Sequence, residues 1–72
     1  MKVNRIVILT QDGDIKELGT IINPNDIESF FTNDMICADT AFEFNDIQFH
    51  IDEVFLMKNG KEVDINLYVS YL

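Results

Sequence analysis

Residues 40–51 read Thr40-Ala41-Phe42-Glu43-Phe44-Asn45-Asp46-Ile47-Gln48-Phe49-His50-Ile51, and they sort by parity about a single dipeptide. With Asn45-Asp46 as a two-residue turn, Phe44 falls opposite Ile47, Phe42 opposite Phe49 and Thr40 opposite Ile51. These six share one face of a hairpin. The other face receives Glu43 with Gln48, Ala41 with His50, and Asp39 with Asp52. A slip of one residue would mix the two sets, so the register is dictated by which face must leave water.

Two further hairpin signals frame this one. Asp12-Gly13 and Asn59-Gly60 both tolerate the positive φ angles of two-residue turns. Around the first, Val3–Thr10 and Ile15–Ile22 read as strands. Around the second, Val54–Lys58 and Lys61–Tyr71 do the same. The last strand alternates cleanly, with Val63, Ile65, Leu67, Val69 and Tyr71 on one face and Asp64, Asn66, Tyr68 and Ser70 on the other. Between the hairpins, Asn23 suits a helix cap, Pro24 the first helical position and Asp26 the positive end of the dipole. Ile27, Phe30 and Phe31 follow at helical spacing as core candidates, and Asn33 is a stop signal. The predicted chain is a single α+β domain over residues 1–72, in the order β-β-α-β-β-β. It has a small, mostly antiparallel sheet and one short helix. β-grasp-like, barrel-like and simple meander arrangements all fit that order.

A conflict of parity sits inside the fourth strand. Upstream, odd positions Ile47, Phe49 and Ile51 face the core. Downstream, a two-residue turn at Asn59-Gly60 would pair Leu56 with Val63 and Val54 with Ile65, so even positions do. The switch falls at Asp52-Glu53 and calls for a β-bulge or a bend there. Phe55 and Met57 then lie opposite Val54 and Leu56. The first strand is two-sided in the same way, with Ile6 and Ile8 against Val7 and Leu9. One short helix cannot cover both faces, so closure toward a barrel, a second copy or a partner must cover the other.

Charge narrows the class of partner. The chain has 72 residues, 13 acidic and 5 basic, and a formal net charge of −8. From Glu17 to Met57 there are acids but no Lys or Arg. All five basic residues (Lys2, Arg5, Lys16, Lys58 and Lys61) lie outside that stretch. Such a field repels nucleic acid and anionic membranes, and it attracts basic surfaces. It also serves solubility alone in many proteins. No apolar run approaches the roughly 20 residues of a membrane span. Met1-Lys2-Val3 leads directly into a strand pattern without a signal peptide, and the lone Cys37 fits a reducing cytoplasm.

The inventory for catalysis is thin. There is one His, one Cys and no Trp. Cys37 lies in the apolar run Met35-Ile36-Cys37-Ala38 and reads as a small buried hydrophobe. His50 falls on the polar face beside Asp52, as an exposed or hydrogen-bonded side chain. Asp12-Gly13-Asp14 and Asn23-Pro24-Asn25-Asp26 are explained by turn and cap chemistry and lack the pattern of a calcium loop. No glycine-rich phosphate loop occurs. The expectation is a non-enzymatic protein without metal or cofactor.

Protein recognition remains. Asp39, Glu43, Asp46, Asp52 and Glu53 are expected to converge on one sheet face and its hairpin end, spaced about 6.6 Å apart at alternate strand positions. Phe55, Met57 and Tyr68 are expected near the same face as apolar anchors. In size, charge and strand content the chain resembles the small acidic inhibitors that phages make against host nucleic-acid enzymes, which often imitate DNA. It carries no motif of a named family. The resemblance implies a partner-binding module that blocks a basic, nucleic-acid-handling protein. The alternative is a structural or accessory protein that self-associates, as a homodimer for example, through its uncovered apolar face.

Overall fold

The computed structural model describes residues 2–11, 13–33 and 37–72. Its elements are β1 (Lys2–Thr10), β2 (Lys16–Ile21), α1 (Pro24–Asn33), β3 (Ala41–Phe44), β4 (Ile47–Asn59) and β5 (Glu62–Tyr71). This is the expected succession of elements, but spatial order departs from chain order. The strands lie side by side as β2-β1-β5-β4-β3. β1 and β5 pair in parallel, and the other neighbours are antiparallel. The sheet is therefore mixed, with its one parallel pair at the centre. That excludes a simple meander: two hairpins are joined through the parallel β1–β5 pair, with a helix on one face. In the apolar run Ile6-Val7-Ile8-Leu9 of β1, Ile6 and Ile8 are buried on the helix side and Val7 and Leu9 are half-buried on the other.

Alternation decides what is buried. Ile6, Ile8 and Thr10 of β1 and Val63, Ile65, Leu67 and Val69 of β5 point to the same side and are buried. Phe42, Phe49 and Ile51 complete that face, and α1 lays Ile27 and Phe30 over it. Phe31, expected in the core, is exposed instead. A helix this short presents only one stripe to a sheet, and Ile27 and Phe30, three apart, already define it. The helix starts as its residues require. Asn23 Oδ1 accepts from the Asn25 amide at 2.9 Å, and the Asn23 carbonyl accepts from Ile27 at 3.0 Å. Aromatic rings link helix and sheet in a ladder, with centroids 5.3 Å apart for Phe30–Phe42, 5.7 Å for Phe42–Phe49 and 5.2 Å for Phe49–Tyr71.

The β3–β4 hairpin has the register its parity requires, pairing Ala41 with His50, Phe42 with Phe49, Glu43 with Gln48 and Phe44 with Ile47. Thr40 joins through its carbonyl, which accepts from Ile51 at 2.8 Å. Asn45 and Asp46 both have positive φ, 50° and 64°, as the mirror-image type I turn demands. The other two turns differ from expectation. In the last hairpin Asn59 pairs with Glu62, so the two-residue turn is Gly60-Lys61, with Gly60 at φ 66°. A turn with positive φ at its first residue alone belongs to type II′, which needs Gly there. Leu56 consequently pairs with Ile65 and Val54 with Leu67, two residues along from the expected partners. In the first hairpin the pairing nearest the turn is Thr10 with Lys16, a longer connection than a two-residue turn. Gly13 has φ 88°, and Asp12 lies outside the described residues.

The parity switch in β4 has the expected cause. The register with β5 shifts between Ile51, opposite Val69, and Glu53, opposite Tyr68, so Asp52 is the extra residue of a bulge. The sheet curls without closing, because no hydrogen-bonded pairing joins β2 to β3. Their edges nevertheless meet. A Cβ built on Gly19 would stand 2.6 Å from Phe44 Cζ, so the ring occupies the space that only glycine leaves. Gly19→Val should cost about 1–3 kcal/mol through overpacking. Urea denaturation would measure it, and the cost should shrink in the double variant with Phe44→Ala.

Candidate functional site

α1 covers one side of the sheet, and among the described residues no element covers the other. That open face is built from alternate positions of all five strands, with Glu17 and Thr20 of β2 opposite Leu9 and Val7. β1 contributes Arg5, Val7 and Leu9. β5 contributes Asp64, Asn66, Tyr68 and Ser70. Glu53, Phe55 and Met57 come from β4, and Glu43 from β3. Phe55 and Met57 are about half exposed, 49% and 54%. Phe55 meets the Tyr68 ring edge-on, with centroids 5.3 Å apart, and Asn66 Nδ2 donates to Met57 Sδ at 3.2 Å. The three expected anchors thus form one apolar strip held by their β5 neighbours.

The five expected carboxylates separate into two groups. Asp39 and Asp52 flank His50, with Nε2 3.6 Å from Asp39 Oδ1 and Nδ1 2.7 Å from Asp52 Oδ1. Ser70 Oγ also donates to Asp52 Oδ1, at 3.2 Å. The bulge explains how Glu53 reaches the same face as its neighbour Asp52. In a regular strand, consecutive residues point to opposite sides. Here Asp52 bonds to Ser70 while Glu53 sits opposite Tyr68, and Ser70 and Tyr68 share the open face. The second group is freer. Glu43 accepts only a hydrogen bond from Gln48 Nε2 at 3.2 Å. Asp46, at the turn tip, and Glu53, beside the apolar strip, are exposed.

Strand order adds residues that the sequence could not assign to this face. The parallel β1–β5 pairing brings Arg5 opposite Asp64, where Nε donates to Oδ2 at 3.1 Å; Asn4 Nδ2 reaches Oδ1 of the same carboxylate at 3.3 Å. Arg5, on the same face as the apolar strip, is therefore already paired. A hydrophobic run interrupted by Arg5 and a lone Asp64 gave no sign of this contact, since it depends on which strands are neighbours.

Other candidates fare as follows. Cys37 is exposed, contrary to the buried role expected of it. The helix has ended at Asn33, and Cys37 lies in a turn where its carbonyl accepts from Thr40 Oγ1 at 2.7 Å. Met35 and Ile36 of its apolar run lie outside the described residues. Among the described residues no cluster of three His, Cys, Asp or Glu side chains could hold a metal. A depression of about 500 Å³ lies at the end of the sheet between Thr10, Gln11, Asp52, Val69, Ser70 and Tyr71. Its one carboxylate is the Asp52 already engaged by His50 and Ser70. No helix among the described residues is long and apolar enough to cross a membrane. No family model, curated protein or solved structure is significantly similar to this chain.

Proposed function

We propose that this chain is a protein-binding module whose open sheet face docks onto a basic surface of a nucleic-acid-handling protein and blocks it. The observation that carries this reading is the uncovered strip of Phe55, Met57 and Tyr68 beside the exposed Glu53, on a face whose nearest Arg is neutralised by Asp64. Apolar anchors supply affinity when desolvated, and carboxylates around them select for Lys and Arg and steer the encounter. The chain's overall charge of −8 acts in the same direction. Asp39, Glu43, Asp46 and Asp52 extend the acidic surface from that strip to the hairpin tip, as phosphates line a nucleic acid.

The test is capture from a lysate of the source organism at low and high salt, followed by competition. The expected result is a partner that is retained at low salt, lost at high salt, and displaced by nucleic acid. A partner held equally at both salt concentrations, or one that binds DNA or RNA and this chain together, would refute the blocking role.

A further inference from the structure

The sheet has three stretches of open backbone edge, and they are not protected alike. β2 is curled against Phe44 at Gly19. β3 is four residues long and carries Glu43. Both use devices that keep edges from pairing: cover, shortness and charge. β4 differs. β3 pairs only with its first part, Ile47 to His50, and the Thr40 and Asp39 backbone groups continue to Ile51. From Glu53 to Asn59, β4 pairs with β5 on one side, and among the described residues with nothing on the other. Its side chains there are apolar on both faces. Leu56 is 66% exposed because α1 does not extend over it, and Phe55 and Met57 emerge on the opposite face.

We infer that this edge pairs antiparallel with the same edge of a second copy. The occupant is set by charge. Despite the acidity of the whole chain, the segment is locally neutral and polarised, with Asp52 and Glu53 before Val54-Phe55-Leu56-Met57 and Lys58 and Lys61 after it. A uniformly basic strand would match one end and be repelled at the other. An antiparallel copy matches both ends at once, which is the self-complementarity a two-fold contact requires.

The register follows from the limits of the open edge. Leu56 is the midpoint of Glu53–Asn59, so aligning the two free segments puts Leu56 opposite Leu56 of the second copy. Phe55 then faces Met57 of the second copy, and Glu53 faces Asn59. The Gly60-Lys61 tip of each copy abuts the start of the other's β3, bringing Lys61 toward Asp39, whose side chain is 89% exposed. The dyad stands normal to the sheet, so the two open faces become one continuous surface. This pairing does not depend on what that surface binds.

Directly opposed residues in an antiparallel pair have Cα atoms about 4.5–5.5 Å apart, within disulfide range. In a Cys37→Ser background, Leu56→Cys should therefore oxidise rapidly to a covalent dimer. Ile22→Cys, at the exposed end of the β2 side, should not. Sedimentation of the unaltered chain should give twice its 8.3 kDa mass at high micromolar concentration. Leu56→Lys, which opposes two cations at the dyad, should weaken the dimer at least about tenfold without moving the far-ultraviolet dichroism. Amides of residues 53–59 in the unaltered chain should gain exchange protection as concentration rises. A monomer at high concentration overturns the proposal. So does a dimer in which Leu56→Cys crosslinks no faster than Ile22→Cys, or one whose amides at 53–59 stay unprotected.

Discussion

Phe42→Ala is expected to lower folding stability by about 3–5 kcal/mol, the range for removing a buried aromatic ring. Phe42 is 2% exposed and sits in the middle of the ring ladder, meeting Phe30 of the helix and Phe49 of the neighbouring strand. Its loss opens a cavity and also severs the aromatic link between α1 and the sheet. The helix is too short to persist on its own, so that link matters beyond its area. A domain of this size has only about 4–10 kcal/mol of net stability, so most of it would go. At about 4–8 °C per kcal/mol, the thermal midpoint should fall by some 20 °C, which a calorimetric scan would register. Phe31→Ala, a change of the same chemistry on the same helix, should shift it by no more than a few degrees, because Phe31 is exposed. Equal effects from the two variants would contradict the burial assigned here.

A combined change at Asp39, Glu43, Asp46 and Glu53 should reduce partner affinity at least about a hundredfold at low salt, the size expected when steering and complementary contacts are both lost. The substitutions must respect the backbone. Asp39 and Asp46 have φ 67° and 64°, a region Asn tolerates and Lys does not, so Asp39→Asn and Asp46→Asn are the suitable changes. Glu43 and Glu53 lie in strands and accept Glu43→Lys and Glu53→Lys. Two charges removed and two reversed take the formal net charge from −8 to −2. None of the four is buried, so the thermal midpoint should stay within a few degrees. Binding would be followed by titration calorimetry at two salt concentrations. Unchanged affinity would mean that the carboxylates serve only solubility.

The elements that could be read from the sequence are those whose chemistry is local. The Asn45-Asp46 hairpin was legible because one register alone separates apolar from polar side chains. The bulge at Asp52 was legible because parity had to switch somewhere between Ile51 and Val54. The helix start was legible because Asn23 and Pro24 each have a distinct terminal role. What escaped depends on contacts far apart along the chain. Nothing in the pattern of β1 says that its neighbour is β5, and so the Arg5–Asp64 pair on the open face was not foreseen. The Asn59-Gly60 signal misplaced its turn because glycine can serve as either central residue, and the choice between them moves every β4–β5 pair. Phe31 shows the limit of periodicity. Helical spacing identifies a stripe, but the width of the stripe is set by the sheet beneath it. For the candidate site, strand parity placed Glu43, Asp52, Phe55, Met57 and Tyr68 on the open sheet face, whereas the tie of Asp39 and Asp52 to His50 and the open edge of β4 emerged only in three dimensions.

The position of β5 bears on how the chain comes to be folded as it is made. β5 is made after the other four strands, and the sheet waits for it, since it alone joins β1 to β4. Until it arrives, the nascent chain holds two separate hairpins and a stranded helix, each too small to persist in water. Its folding is thus a single late event rather than a stepwise one, and closure over such long sequence separations is slow. A net charge of −8 opposes association between copies whose strands are still unpaired.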